Sequence, residues 1–299
     1  MQVFAGSSNR ELASEIASLL ETQLGEIEIS QFANGETRVW VKEGKVEHRV
    51  VVVQSLSSPT NEHLVELCLI VDALRRVGAS EITAVIPWMG YSKQDKIFRP
   101  GEPLSAKVVA QILQSAQIDK IITIDLHNRA TLGFFDLPIR ELSARPILME
   151  YFKKKVGTKT LVVAPDEGAV KASTELAREL GVPIVYVDKK RDLTTGEVSV
   201  VGMSRSVAGG DLIVTDDNVF TGSTLLQVAK ELKEAGAKTI RVGLTHHLYV
   251  PHVQEKLEDS EIDEIVVTNT VSERGQVRGK KSSKLKIVSV AQMIVDELG

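Results

Sequence analysis

Apolar residues recur along this chain in two rhythms. Short runs rich in Val, Ile and Leu fall at 2–5, 27–30, 49–54, 82–87, 120–126, 160–165, 184–188, 211–216, 239–246, 263–269 and 285–290. Between them lie stretches with apolar residues three and four apart, as at 60–78, 104–116 and 222–236. The first rhythm reads as strand and the second as amphipathic helix. Runs that are apolar throughout predict parallel strands covered on both faces. The expected class is therefore α/β, with ligands sought where strands end at their carboxyl side.

The pattern also repeats. 73-ALRRVGASEITAVI-86 and 231-ELKEAGAKTIRVGL-244 share a helix, a Gly-Ala turn and a strand, offset by 158 positions (236 − 78). A strand and loop precede each, 50-VVVVQSLSSPT-60 in one case and 212-LIVTDDNVFTGST-224 in the other. Two similar domains follow as an expectation, each a mainly parallel sheet flanked by helices. The boundary falls within 138-PIRELSARP-146, giving domains 1–143 and 144–299, with the last helix, 289–298, expected to pack back on the first. Irregular stretches stand out at 32–38, 88–103, 188–200 and 272–284.

Composition narrows this only slightly. A length of 299 residues suits two domains, and 43% hydrophobic with 25% charged residues is ordinary for a globular chain. A net charge of −4 argues against a dedicated nucleic-acid or membrane-surface binder. No apolar run approaches the ~20 residues of a membrane span. The N-terminus, MQVFAGSSNRELA, is expected to pass directly into a strand and a capped helix without a secretory leader. The single Cys68, inside LVELCLIVDAL, reads as a small core residue. One cysteine permits no internal disulfide and fits a reducing, cytoplasmic setting.

Candidate chemistry lies in the loops. In 215-TDDNVFTGST-224, two adjacent carboxylates close a strand and a Thr/Gly/Ser run opens a helix. Backbone N–H groups, hydroxyls and the positive helix end there suit a phosphate. Asp216 and Asp217 would accept hydrogen bonds from vicinal sugar hydroxyls; the bland alternative is a cap cluster with two solvated acids. Neither a GxxxxGK[ST] loop nor a GxGxxG loop is present. In 32-FANGE-36, Phe32 offers a stacking face, and Asn34 and Glu36 an amide and a carboxylate, although N-G-E is also an ordinary turn. The loop 90-GYSKQDKIFRPGEPLSAK-107 places Lys93, Lys96 and Arg99 where they could clamp a polyphosphate or simply face water. His127 in DLH and Asp166 in PDEG each close an apolar run. In the stretch 188-DKKRDLTTGEVSV-200, three cations directly follow Asp188, the end of a strand.

The TDDNVFTGST loop resembles the ribose-5-phosphate loop of the type I phosphoribosyltransferase fold, and the whole chain resembles the ribose-phosphate pyrophosphokinase (PRPP synthetase) family through five motifs in order. The fold thus implied is a duplicated phosphoribosyltransferase-like one. The resemblance assigns Asp216 and Asp217 to the ribose hydroxyls, and Thr221, Gly222, Ser223 and Thr224 to the 5-phosphate. It assigns Phe32, Asn34 and Glu36 to adenine, Lys93, Gln94 and His127 to ATP, and His127 with Asp166 to Mg2+. Lys189 and Arg191 become the catalytic cations, with Lys190 an extra charge between them. Two departures stand out: Lys93 replaces the family's Arg and loses its bidentate fork, and Phe220 stands where Asp or Ser is usual.

The implied activity is transfer of a diphosphoryl group from Mg-ATP to ribose 5-phosphate by a cytoplasmic, dimer-based homo-oligomer such as a hexamer, with neither nucleic acid nor membrane as partner. A salvage phosphoribosyltransferase would share TDDNVFTGST but has no use for FANGE and KQD. A non-catalytic regulatory homologue would be expected to damage the catalytic loop, DLH or PDEG, and all three are intact. The family's regulated class carries a hydroxyl-rich tail after the last helix; this sequence stops at 289-SVAQMIVDELG-299, so weak ADP inhibition is expected.

Overall fold

The computed structural model describes residues 1–191, 198–219, 222–250, 252–273 and 283–299, with backbone alone for 189–191 and 198–201. In chain order the first part runs β1 (Gln2–Ala5), α1 (Arg10–Leu19), β2 (Ile27–Gln31), β3 (Thr37–Val41), β4 (Arg49–Val53), α2 (Thr60–Arg76), β5 (Glu81–Ile86), α3 (Ser105–Ser115), β6 (Lys120–Ile124) and β7 (Ile139–Leu142). The second continues with α4 (Arg145–Lys153), β8 (Thr160–Ala164), α5 (Val170–Leu180), β9 (Ile184–Arg191), β10 (Val198–Met203), β11 (Asp211–Val219), α6 (Ser223–Glu234), β12 (Thr239–His247), α7 (Val253–Glu258), β13 (Glu264–Thr268), β14 (Leu285–Val288) and α8 (Ala291–Leu298). Two compact units result: Met1–Ser143 with Asn269–Ser272 and Ser289–Gly299, and Ala144–Thr268 with Glu273–Val288.

The first unit is built on a parallel sheet in the order β1-β4-β5-β6-β7. Val50 to Val53 of β4 are buried, as expected of β-branched residues in a central strand. Leu67, Ile70, Val71 and Leu74 of α2 are fully buried in the same core as Val50, Val52 and Ile82. Cys68 belongs instead to the rim of this face: it is half-buried, and burial raises its thiol pKa. Helix α8 packs on α1 in this unit, and its Glu297 accepts from Lys120 Nζ at 3.0 Å and Arg140 Nε at 3.2 Å. β2 and β3 form a separate antiparallel hairpin.

The second unit holds seven strands in the order β10-β9-β8-β11-β12-β13-β14, parallel except for the edge strand β10. From β8 the chain winds first to β9 and β10 on one side, then returns through β11 to the other. The winding reverses between β8 and β11, and a crevice opens at the carboxyl ends of strands at such a switch. Two extents differ from the sequence-based reading. The strand expected at 184–188 continues through Arg191, because β10 pairs antiparallel with it (Lys189 opposite Val200, Arg191 opposite Val198) and supplies backbone partners for a polar edge. Ile139–Leu142, read as boundary, is a short parallel edge strand beside β6.

The internal repeat is physical. Gly78 N–H donates to Arg75 O and Ala79 N–H to Leu74 O; 158 positions on, Gly236 N–H donates to Lys233 O and Ala237 N–H to Leu232 O. The φ values are +108° and +91°, where a side chain is strained. Neither glycine closes a packed contact of less than 3.4 Å, so backbone strain alone sets the cost of substitution. Gly78→Ala and Gly236→Ala should each destabilise by about 1–2 kcal/mol. Denaturant midpoints of the two variants check this.

Candidate active site

In the second unit, β8, β11 and β9 bring their carboxyl ends side by side. β11 pairs with β8 only from Asp211 to Val214, while its pairing with β12 continues to Val219. The strand therefore outruns its neighbour, and Asp216 and Asp217 occupy the overhang. Asp166 follows β8 and caps its own turn, accepting from Ala169 N–H at 3.0 Å. Asp216 Oδ1 accepts from the Asp217 N–H at 2.8 Å. Burial by surrounding protein, then the Asp217 carboxylate, then the field of Asp166 push the Asp216 carboxyl up to about 7. The side chain still keeps a face open to solvent. Repulsion among the three acids is thus the part of this shift that hydroxyl donors or a cation would reverse.

Next along the chain, Gly222 holds the N-cap of α6 at φ +70° without a side-chain cap. This is a left-handed position that only glycine adopts cheaply. Ser223 and Thr224, the first helical residues, are exposed, so hydroxyls and the positive helix end face outward together. Phe220 and Thr221 lie outside the described residues, as do the side chains of Lys189 and Arg191. The backbone nevertheless puts Lys189 and Arg191 at the end of β9, next to β8 in the sheet.

One residue escaped the sequence reading. Asn218 is 6% exposed, and neither of its amide atoms has a hydrogen-bond partner among the described residues. A buried, unpaired amide beside Asp217 is costly and calls for a water or ligand partner. Its only signal in the sequence was a polar residue interrupting an apolar strand.

In the first unit, FANGE is the tip of the β2–β3 hairpin. Phe32 N–H donates to Glu36 O at 2.9 Å, Asn34 Oδ1 accepts from Glu36 N–H at 3.2 Å, and Phe32 is 53% exposed. The KQD loop between β5 and α3 carries Lys93, Gln94, Lys96 and Arg99, all exposed. Gln94 also anchors α3, which has no other side-chain cap: its Oε1 accepts from Ser105 Oγ at 2.7 Å and its carbonyl from Ala106 N–H at 3.1 Å. His127 is exposed on the loop after β6. Asn128 joins that loop to KQD by donating from Nδ2 to Asp95 Oδ2 at 2.5 Å. Glu141 holds it from the other flank, accepting from Leu126 N–H at 2.9 Å and pairing with Arg129 at 2.8 Å. Burial lifts the Glu141 carboxyl above its usual range, and the field of Asp125 adds to this. Glu141 lies too far along the chain for its role to be read from sequence.

The structure thus unites Lys93, Gln94 and His127 through adjacent loops in one unit, and Asp166, Asp216, Asp217, Gly222, Ser223 and Thr224 at one sheet end in the other. Among the described residues, no hydrogen bond joins the FANGE tip to KQD. Nor is any group of three or more His, Cys, Asp and Glu among them arranged to hold a metal ion.

Family models match on both halves: the N-terminal domain of ribose phosphate pyrophosphokinase over residues 1–116 and the phosphoribosyl transferase domain over residues 134–276. The chain belongs to the ribose-phosphate pyrophosphokinase family. It is 38% identical to the ribose-phosphate pyrophosphokinase of Bacillus caldolyticus over 100% of this chain and 93% of that one. The Aquifex aeolicus enzyme of the same name is 37% identical over 98% and 93%. The crystal structure of phosphoribosylpyrophosphate synthetase from Mycobacterium smegmatis superposes with a TM-score of 0.87 at 33% identity, covering 99% of this chain and 97% of that one. Both domains are of the phosphoribosyltransferase type, with mainly parallel sheets flanked by helices.

The acid pair has a pH signature. Asp216's folded pKa is raised from 3.8 to about 7, so between those values the native state binds more protons than the unfolded chain. Stability of the ligand-free protein from this source is present at low pH and is lost as pH rises through that window. Asp217→Asn should remove the part of the slope that comes from the neighbouring charge and leave the part that comes from burial. Thermal midpoints of both proteins between pH 4 and 8 measure it.

Proposed function

We propose that this chain is a ribose-phosphate diphosphokinase, transferring the β,γ-diphosphoryl group of ATP to the anomeric hydroxyl of D-ribose 5-phosphate to give PRPP and AMP. The observation that carries this reading is its 35–38% identity, essentially end to end, to proteins named ribose-phosphate pyrophosphokinase. The acid-bearing sheet end followed by an uncapped glycine-led helix supports it, since one offers acceptors for sugar hydroxyls and the other donors for a phosphate.

In the reaction the anomeric oxygen forms a bond to the β-phosphorus, the bond from that phosphorus to the α–β bridging oxygen breaks, and AMP leaves with the electron pair. The hydroxyl proton passes to solvent; no side chain is assigned as general base. Asp216 and Asp217 hold the ribose hydroxyls, while Thr221, Gly222, Ser223 and Thr224 hold the 5-phosphate. Phe32, Asn34 and Glu36 take adenine; Lys93, Gln94 and His127 take the polyphosphate. Lys189 and Arg191 neutralise charge on the migrating group, which is most of what such a transfer asks of a protein.

The residues fit Mg2+. This ion takes one or two carboxylates together with phosphate oxygens and water, and Asp166, at the acid-bearing sheet end, offers such an oxygen ligand. Asp166 and His127 are the residues assigned to it. When bound, Mg2+ supplies neutralisation of the polyphosphate oxygens. Among the described residues no helix is long and apolar enough to cross a membrane, and the enzyme is proposed to act as a cytoplasmic homo-oligomer built on dimers.

AMP release from ATP that depends strictly on ribose 5-phosphate tests the activity; its absence in the wild-type protein would refute it in favour of a regulatory homologue. Lys189→Ala and Arg191→Ala should each lower kcat by about 10²–10³-fold while leaving ribose 5-phosphate affinity within a few-fold. Near-normal kcat with weakened ground-state binding would show that these cations are misassigned.

A further inference from the structure

Asn128 sits between the two loops of the first unit that carry Lys93, Gln94 and His127. Its Oδ1 accepts from Ala130 N–H at 3.0 Å, which fixes the orientation of the amide and leaves Nδ2 to face Asp95 at 2.5 Å. The acceptor is a carboxylate, so the bond is of the stronger, charge-assisted kind. Asp95 directly follows Gln94 and Asn128 directly follows His127. The link therefore lies one residue from an assigned ATP ligand on each side.

Each loop is also anchored elsewhere in the first unit. On the KQD side, Tyr91 Oη donates to Asn61 Oδ1 of α2 at 2.5 Å and Gln94 binds the start of α3. On the other side, Asp125 N–H donates to Leu142 O at 3.0 Å, and Glu141 of β7 holds Leu126 and Arg129. The chain passes through a left-handed conformation at Asp125 (φ +37°), which a non-glycine residue keeps only when its surroundings over-determine it. A bent, well-held loop and a loop pinned to two helices meet at Asp95–Asn128.

We propose that Asn128 is a positioning residue for ATP: by bonding Asp95 it locks the KQD and His127 loops into one platform, so that Lys93, Gln94 and His127 keep a fixed spacing toward the polyphosphate. This rests on the diphosphokinase reading above. The side chain need not touch the nucleotide; it acts through the spacing of residues that do, and small errors in that spacing are expensive.

Steady-state kinetics with each substrate varied, on the full-length protein, test it. Asn128→Ala should raise KM for ATP by about tenfold and leave KM for ribose 5-phosphate within about twofold. Asn128→Asp sets a carboxylate against Asp95 and should be at least as damaging at neutral pH. The exchanged pair Asp95→Asn with Asn128→Asp restores one amide and one carboxylate and should recover most of the ATP affinity. Unchanged KM for ATP in Asn128→Ala, equal losses for both substrates, or no recovery in the exchanged pair would overturn the proposal. Wild-type protein lacking ribose 5-phosphate-dependent AMP release would instead sink the activity assignment.

Discussion

Carboxylates crowded at the end of a buried sheet are the constraint around which the second unit is arranged. Asp166, Asp216 and Asp217 gather where the sheet reverses its winding; burial first, and then the neighbouring acids, lift Asp216 far from the usual carboxylate range. A fold selected for stability alone would avoid this. Under the proposed activity, sugar hydroxyls donating to Asp216 and Asp217 would relieve the repulsion between them, and a divalent cation held by Asp166 would add to the relief. The overhang of β11 beyond β8 creates the room, and Gly222 turns the chain so that α6 presents its positive end nearby.

The first unit repeats the strand–loop–helix–turn–strand unit without repeating the acids. Where β11 carries Asp216 and Asp217 beyond its pairing with β8, β4 is followed by Gln54 and Ser55, both fully buried. Gln54 donates to Glu66 at 2.7 Å and accepts from Ser8 N–H at 3.1 Å, so this strand end is satisfied internally. Duplication thus supplied two scaffolds of one kind, and in the second of them two carboxylates stand side by side at a strand end. The other offers exposed cations and an imidazole on loops braced by Asp95–Asn128 and Glu141.

Most of the architecture was legible in the sequence because parallel strands buried on both faces leave uninterrupted apolar runs, and because the Gly78 and Gly236 turns demand glycine at matching places. What was not legible has a shared cause. The extension of β9 through Arg191 depends on pairing with β10, and β7 depends on pairing with β6; neither pairing leaves a local pattern. Cys68 read as core because its neighbours are, yet helical rotation carries it to the rim. Asp216 and Asp217 could be picked out because like charges side by side are rare at a strand end. Asn128 and Glu141 could not, since their roles arise from partners in other loops.

The most direct measurement is the calorimetry of ribose 5-phosphate binding near pH 7, in buffers of differing ionisation enthalpy, for the wild type and Asp217→Asn. If the strained acid pair is what receives the sugar, binding lowers the Asp216 pKa from about 7, and the wild type releases more protons than the variant. Equal proton release by two proteins that both bind the sugar would contradict it.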